Sequence, residues 1–251
     1  MDLKTFIAGL GFEWSTMSLS MGSDCAFDTE FSISPDEFIS FAKIDLLQPD
    51  KHGLVNALSN AKRAIACQTD TILNSLVGIE LKRLNLPYKL QLLQEMGVVA
   101  PRILEKVNIL RNFLEHEYEL PERAKVEEAV DIAELFVAAC SKPLRAFPEE
   151  MYIATNEEYL KSGHSPPNCL YVEFVLGQKF FIVKCFKDGS VIGLLNITPR
   201  DWQEFCALMR LAISAHPYRG EEKAIKAFLD SLHTPTTHPR NLTWFPSYEL
   251  K

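Results

Sequence analysis

The stretch RNFLEHEY, Arg111 to Tyr118, gathers an arginine, an asparagine, a histidine and a tyrosine in one short run. Arg111 and His116 suit chemistry at a phosphodiester. A guanidinium holds two phosphate oxygens in a fixed fork and keeps its charge. An imidazole exchanges a proton near neutrality and so serves as general acid or base. RNA carries its own nucleophile, the ribose 2′-hydroxyl. The minimum set is therefore one group to move that proton and one to steady the charge building on phosphorus. Such a route does not require a metal, and the sequence offers no convincing metal-ligand spacing.

Helical geometry constrains how these groups meet. Five residues along an ideal helix turn by roughly 140°, so Arg111 and His116 do not share a face. Arg111 and Tyr118 do, within about 20°. His116 joins the arginine only where the helix frays or bends, or where a second copy completes the site. Pro121 favours a helix that ends near Tyr118. A two-fold dimer would bring two arginines and two histidines into one groove, and this is the arrangement expected. Glu115, Glu117 and Glu119 repel a phosphate unless they point away. They also favour protonated His116, which suits an acid better than a base. A plainer reading stands beside this one. A histidine near a helix C-terminus is favourable for the dipole alone, and Arg111 with Glu115 makes an ordinary surface pair.

The elements that must position these residues are helical. Leu54, Leu58, Ala61, Ile65, Gln68, Ile72 and Leu76 recur at three- and four-residue steps and predict one long helix. A shorter helix covers YKLQLLQEMG and ends at Gly97. Pro101 opens the helix of the motif, with Ile103, Val107, Leu110 and Leu114 facing inward. Another runs from about Arg123 to Cys140, burying Val126, Val130, Ala133, Val137 and Cys140. Short links between single-faced helices predict an antiparallel bundle over 51–142. Residues 1–50 form an N-terminal extension with one clear helix near 35–47. Ser34 is its N-cap, Pro35 opens it and Glu37 completes a capping box. Residues 143–168 are polar and proline-containing, as a linker or long loop is. From Cys169 to Lys251 a smaller α+β unit is expected. YVEFVLGQKFFIVKCFKDGSVIGLLNI makes a three-stranded meander with turns at Gly177-Gln178 and Asp188-Gly189. Helices from Trp202 and over Glu221–Leu232 follow, then a Thr/Pro-rich tail. The fold class predicted is thus α+β, mainly α: a helical bundle followed by a three-stranded meander with helices.

Composition bounds the function. With 47% hydrophobic and 24% charged residues the chain is globular. A net charge of −7 argues against coating duplex nucleic acid but leaves room for a local phosphate site. The six cysteines lack a CxxC pair or metal-type spacing and read as reduced thiols of a cytoplasmic protein. The opening MDLKTFIAGLGF has no signal-peptide pattern, and no stretch is long enough to span a bilayer.

RNFLEHEY resembles the R-x4-H motif of the HEPN superfamily (higher eukaryotes and prokaryotes nucleotide-binding domains). The resemblance covers roughly residues 52–141: a long helix, a short one, the motif helix, then an amphipathic helix after a proline. Asn112 directly after the arginine fits the pattern, and Tyr118 extends it to R-x4-H-x-Y. That form is found in toxins paired with minimal nucleotidyltransferase antitoxins. The resemblance implies a HEPN-like helical bundle and a dimeric, metal-independent ribonuclease needing no cofactor. Such proteins serve toxin–antitoxin, abortive-infection and CRISPR-associated systems. By position, Arg111 and His116 are the implied catalytic pair and Asn112 their support. Tyr118 is the residue a nucleotidyltransferase partner would modify. The competing expectation is a catalytically silent HEPN module that binds nucleotides or partners.

Other segments carry weaker signals. His233 and His238 lie in a Thr/Pro-rich stretch that reads as a solvated tail rather than a metal site. Lys223, Lys226, Arg210 and Arg219 could form a local basic patch, though the exposed faces of amphipathic helices usually carry such charges. One of Phe180 and Phe181 is expected in the core, as is Trp202.

Overall fold

A computed structural model describes residues 2–27, 31–78, 84–98, 122–162, 165–215, 221–233 and 236. In chain order these hold α1 (Leu3–Gly9), β1 (Met17–Cys25), α2 (Pro35–Leu46), α3 (Lys51–Leu76), α4 (Leu86–Glu95), α5 (Arg123–Cys140) and α6 (Lys142–Arg145). They continue with β2 (Phe147–Thr155), α7 (Asn156–Ser162), β3 (Cys169–Val175), β4 (Phe180–Lys187), β5 (Ser190–Ile197), α8 (Trp202–Ser214) and α9 (Glu221–Ser231).

The strands form one five-stranded antiparallel sheet in the order β1-β2-β3-β4-β5. This corrects the expected bundle followed by a three-stranded meander. Two further strands precede the predicted three, and α2 to α6 are an excursion between the paired neighbours β1 and β2. The stretch expected as an extension supplies β1, with Met17 and Leu19 buried on one face and Ser18 and Ser20 on the other. The stretch expected as a linker supplies β2, whose Phe147, Met151 and Ile153 are fully buried. Each strand sets apolar side chains at alternate positions into the core, Met17 and Leu19 from β1 and Met151 and Ile153 from β2, which is what draws both into the sheet. Pro148 sits at the start of β2, where a missing N–H is tolerated.

The sheet's inner face and the helices share one contiguous core. It runs from Leu3 and Phe6 of α1 through the α3 stripe to Phe228 of α9. A row of edge-on and tilted rings crosses it: Phe147, Phe174, Phe181 and Phe205, with successive centroids 5.0, 5.0 and 5.5 Å apart. Trp202 is fully buried and stacks on Phe205. Phe180 is buried alongside Phe181 rather than exposed opposite it.

Helix boundaries follow local chemistry. Ser34 and Glu37 make the reciprocal capping box at α2. Asp50 caps α3 through the Gly53 N–H at 2.8 Å. Gly53 lets α2 and α3 approach closely: a Cβ there would lie 2.5 Å from the Asp45 carbonyl oxygen. All seven predicted α3 stripe residues are buried, Gln68 among them. α3 packs against α2, α4 and α5. At the β4–β5 turn Asp188 and Gly189 both take left-handed backbone, the pair a tight hairpin needs. At the β3–β4 turn Lys179, not Gly177, is left-handed. The Lys179 ammonium reaches the Asn74 carbonyl at 2.5 Å, tying that hairpin to the end of α3.

Candidate functional site

Arg111, Asn112, His116 and Tyr118 lie outside the described residues, as do the helix expected from Pro101 and its apolar row. The described elements on either side of that stretch are α4 and α5. Before it, Asn85 caps α4 through the Tyr88 N–H at 3.0 Å. α4 ends with left-handed Gly97 (φ +80°), and the Val98 N–H returns to the Leu93 carbonyl at 2.9 Å. This is a Schellman-type stop.

That stop is fixed from the other side of the molecule. The buried indole of Trp202 donates Nε1–H to Glu95 Oε2 at 2.5 Å. Gln91 Nε2 donates to Glu95 Oε1 at 3.1 Å, and Arg210 Nε–H donates to the Glu95 carbonyl at 2.8 Å. The Arg210 stem lies over Gly97, so close that a Cβ there would sit 2.9 Å from its Cγ. Thus α8 grips the C-terminus of α4, where the motif-bearing stretch departs. Sequence reasoning missed this contact. It joins residues more than a hundred apart, and Trp202 and Glu95 each read correctly as core and helix without naming the other.

After the motif stretch, Glu122 is the N-cap of α5, and Arg123 bonds both Glu127 Oε1 at 3.1 Å and the Leu46 carbonyl of α2. Lys43 pairs with Glu134 at 2.6 Å and Lys89 with Asp70 at 2.7 Å. These cations each face a carboxylate already, so they do not add a phosphate clamp to the one expected from Arg111.

A second polar group, also missed, lies on the outer face of the sheet. Tyr171 Oη donates toward Glu150 Oε1 at 3.0 Å and Glu173 Oε2 at 3.2 Å. Lys184 Nζ stands 3.6 Å from Glu173 Oε2 and 5.2 Å from the Tyr171 ring centre. Tyr152 tilts against Tyr171, and Gly22 leaves room for Glu150 and Tyr152, where a Cβ would lie 2.8 Å from Glu150 Oε2. Burial, then the Glu150 hydrogen bond and the Glu173 charge, raise the Tyr171 phenol well above its ordinary range. Tyr171 is therefore a neutral donor, neither nucleophile nor base at physiological pH. The alternation of Tyr171 and Glu173 on β3 was visible in the sequence. Their partner Glu150 was not, because residues 143–168 read as a linker in sequence while the structure makes Phe147–Thr155 a strand.

The six cysteines are free. Burial pushes Cys25 up to about 11 and Cys140 and Cys169 up to about 12. Such thiols do not act as thiolate nucleophiles. Among the described residues no three His, Cys, Asp or Glu side chains are placed to hold a metal ion, and no helix is long and apolar enough to cross a membrane. His233 is exposed; His238 and Arg219 lie outside the described residues. No family model, curated protein or solved structure matches the chain.

Proposed function

We propose that the chain is a metal-independent endoribonuclease of HEPN type that cleaves single-stranded RNA. The observation that carries this reading is the R-x4-H-x-Y string of Arg111, Asn112, His116 and Tyr118. Support comes from its flanks: α4 and α5 bracket the stretch, and both pack on the long helix α3.

In this reading the 2′-hydroxyl gives up its proton and its oxygen bonds to phosphorus. The bond from phosphorus to the 5′-oxygen breaks, and that oxygen takes up a proton. The products are a 2′,3′-cyclic phosphate and a 5′-hydroxyl. His116 exchanges the proton, and Arg111 neutralises charge on the pentavalent phosphorus. Asn112 supports the pair. Two copies about a two-fold axis supply paired groups to one groove. Tyr118 is the position a nucleotidyltransferase partner would modify, which fits a cytoplasmic toxin or antiviral defence component.

A second reading has its own observation. Glu115, Glu117 and Glu119 interleave the motif, and the chain carries a net charge of −7. A silent module that binds nucleotides or a protein partner accommodates that acidity more easily than a phosphate-cleaving groove.

The test is incubation with single-stranded RNA in excess chelator. Wild type and Tyr118→Phe should cleave alike, while His116→Ala and Arg111→Ala should each lose at least about a hundredfold in rate. Cleavage equal in all four proteins contradicts the assignment. Absence of cleavage together with nucleotide binding supports the silent module.

A further inference from the structure

We propose that the outer face of the sheet is a docking surface for residues 240–244 of the same molecule, with Arg240 over Glu150 and Glu173 and Trp244 over β5. Register sets Glu150 opposite Glu173 and Tyr152 opposite Tyr171. It then sets Tyr171 opposite Lys184, and Lys184 opposite Leu194. A register shift beside Phe186 brings Val191, its partner, onto the face that holds Leu194. Ala154, Cys169 and Tyr171 are buried there in a small cluster of their own, apart from the main core, with Tyr152, Tyr159 and Phe186 packed around it. Val191 and Leu194 on this face stay 51% and 52% exposed.

The two halves of this face differ in charge. Over β4 and β5 it is apolar, with Phe186, Val191 and Leu194. Over β2 and β3 it is acidic. Like charges directly opposite on neighbouring strands are unfavourable, and Glu150 and Glu173 are such a pair. Tyr171 has one hydroxyl hydrogen to give to the two carboxylates. Lys184 stands 3.6 Å from Glu173, while Glu150 has no ion pair among the described residues. A negative charge is left over. An occupant that suits the whole face therefore carries a cation at one end and apolar groups at the other. The separation is set by the sheet: β5 lies two and a half strand spacings, about 12 Å, from the midline of β2 and β3. A second copy of this face does not meet that need. Stacked on itself, it sets carboxylates against carboxylates or against apolar side chains.

Arg240, Leu242 and Trp244 lie outside the described residues, and their order along the chain has the required pattern. Alternate residues of an extended segment share a face at about 7 Å spacing, so Arg240 and Trp244 stand about 13 Å apart. Leu242 falls between them, over β4. A guanidinium is the cation suited to the acidic end, because its planar fork of donors spans two carboxylates. The point of departure agrees. α9 packs against β1, the edge strand beside β2, and Gln203 Nε2 donates to the Leu232 carbonyl at its end, 3.2 Å away. His233 and Arg240 are seven residues apart in the chain, up to about 23 Å of backbone, which suffices to round one edge strand. Entering from the β1 side, the segment meets the carboxylates first and β5 last, in the order arginine, leucine, tryptophan.

This contact is independent of the ribonuclease reading. Paired cysteines in the full chain test it. Under mild oxidation of dilute protein, Leu194→Cys with Trp244→Cys should give a disulfide within one molecule, identified by peptide mapping at the two introduced positions. Ile44→Cys with Trp244→Cys, which uses an exposed position on α2, should not. Adding Arg240→Glu to the first pair should lower the yield about fivefold, the worth of one exposed ion pair. Adding Glu150→Arg as well should restore it. Should Leu194→Cys fail to fold, exposed Asn196→Cys takes its place. A yield no greater than that of the α2 control, a bond formed only between two molecules, or a yield indifferent to Arg240→Glu overturns the proposal.

Discussion

Glu204 accepts the Leu3 N–H at 2.8 Å and so pins the first turn of α1 to α8. Burial raises its carboxyl above the ordinary value, outweighing the Leu3 hydrogen bond that lowers it; Asp201 and Asp2 add to the rise. A raised carboxylate makes its stabilising contribution below the ordinary value and loses it as pH climbs through the folded value. Glu204→Gln keeps an acceptor for Leu3 and removes the charge. Its stability relative to wild type should therefore improve from about pH 4 upward, then level off, as denaturant midpoints across that range will show. Gly193 makes an opposite case. A Cβ there would lie 2.4 Å from Phe6 Cε2, in a ring only 5% exposed. Gly193→Ala should cost about 1–3 kcal/mol by overpacking, less what the alanine recovers in chain entropy. Adding Phe6→Leu should return part of that loss, measurable as a coupling in urea unfolding.

At the scale of elements, α8 holds α4 through Trp202, Arg210 and Glu95. Trp202→Phe keeps most of the ring and removes the N–H that reaches Glu95. About 1–3 kcal/mol should be lost in equilibrium unfolding, since a carboxylate oxygen surrenders a charge-assisted partner. Elements with local signals were legible in the sequence. Ser34, Pro35 and Glu37 announced α2, the seven-residue stripe announced α3, and Gly97 announced the end of α4. The strands β1 and β2 were not legible. Ser18, Ser20 and Gly22 are weak strand formers, Pro148 and two glutamates resemble a loop, and the two strands recognise each other only across the intervening helices. Gly177 misled for a related reason. A glycine in a turn does not say which residue takes the left-handed position, and here it is Lys179.

For the whole molecule, the consequence of pairing β1 with β2 is that the helical part is bounded at both ends by one sheet. A bundle with an appendage would let its helices fold apart from the strands. Here Leu54 and Leu58 of α3, Phe174 of β3 and Phe205 of α8 belong to a single core. Substitutions such as Trp202→Phe should therefore lower one cooperative transition rather than split it in two. The chemistry proposed for this scaffold is local to four side chains, and their types were readable in the sequence while their placement was not. The most direct measurement compares an RNA with its fully 2′-O-methylated counterpart, incubated with the protein in excess chelator. Wild type should cut the RNA to 2′,3′-cyclic phosphate ends and leave the methylated strand whole, with His116→Ala cutting neither. Cleavage of the methylated strand, or undiminished cleavage of RNA by His116→Ala, would contradict the account.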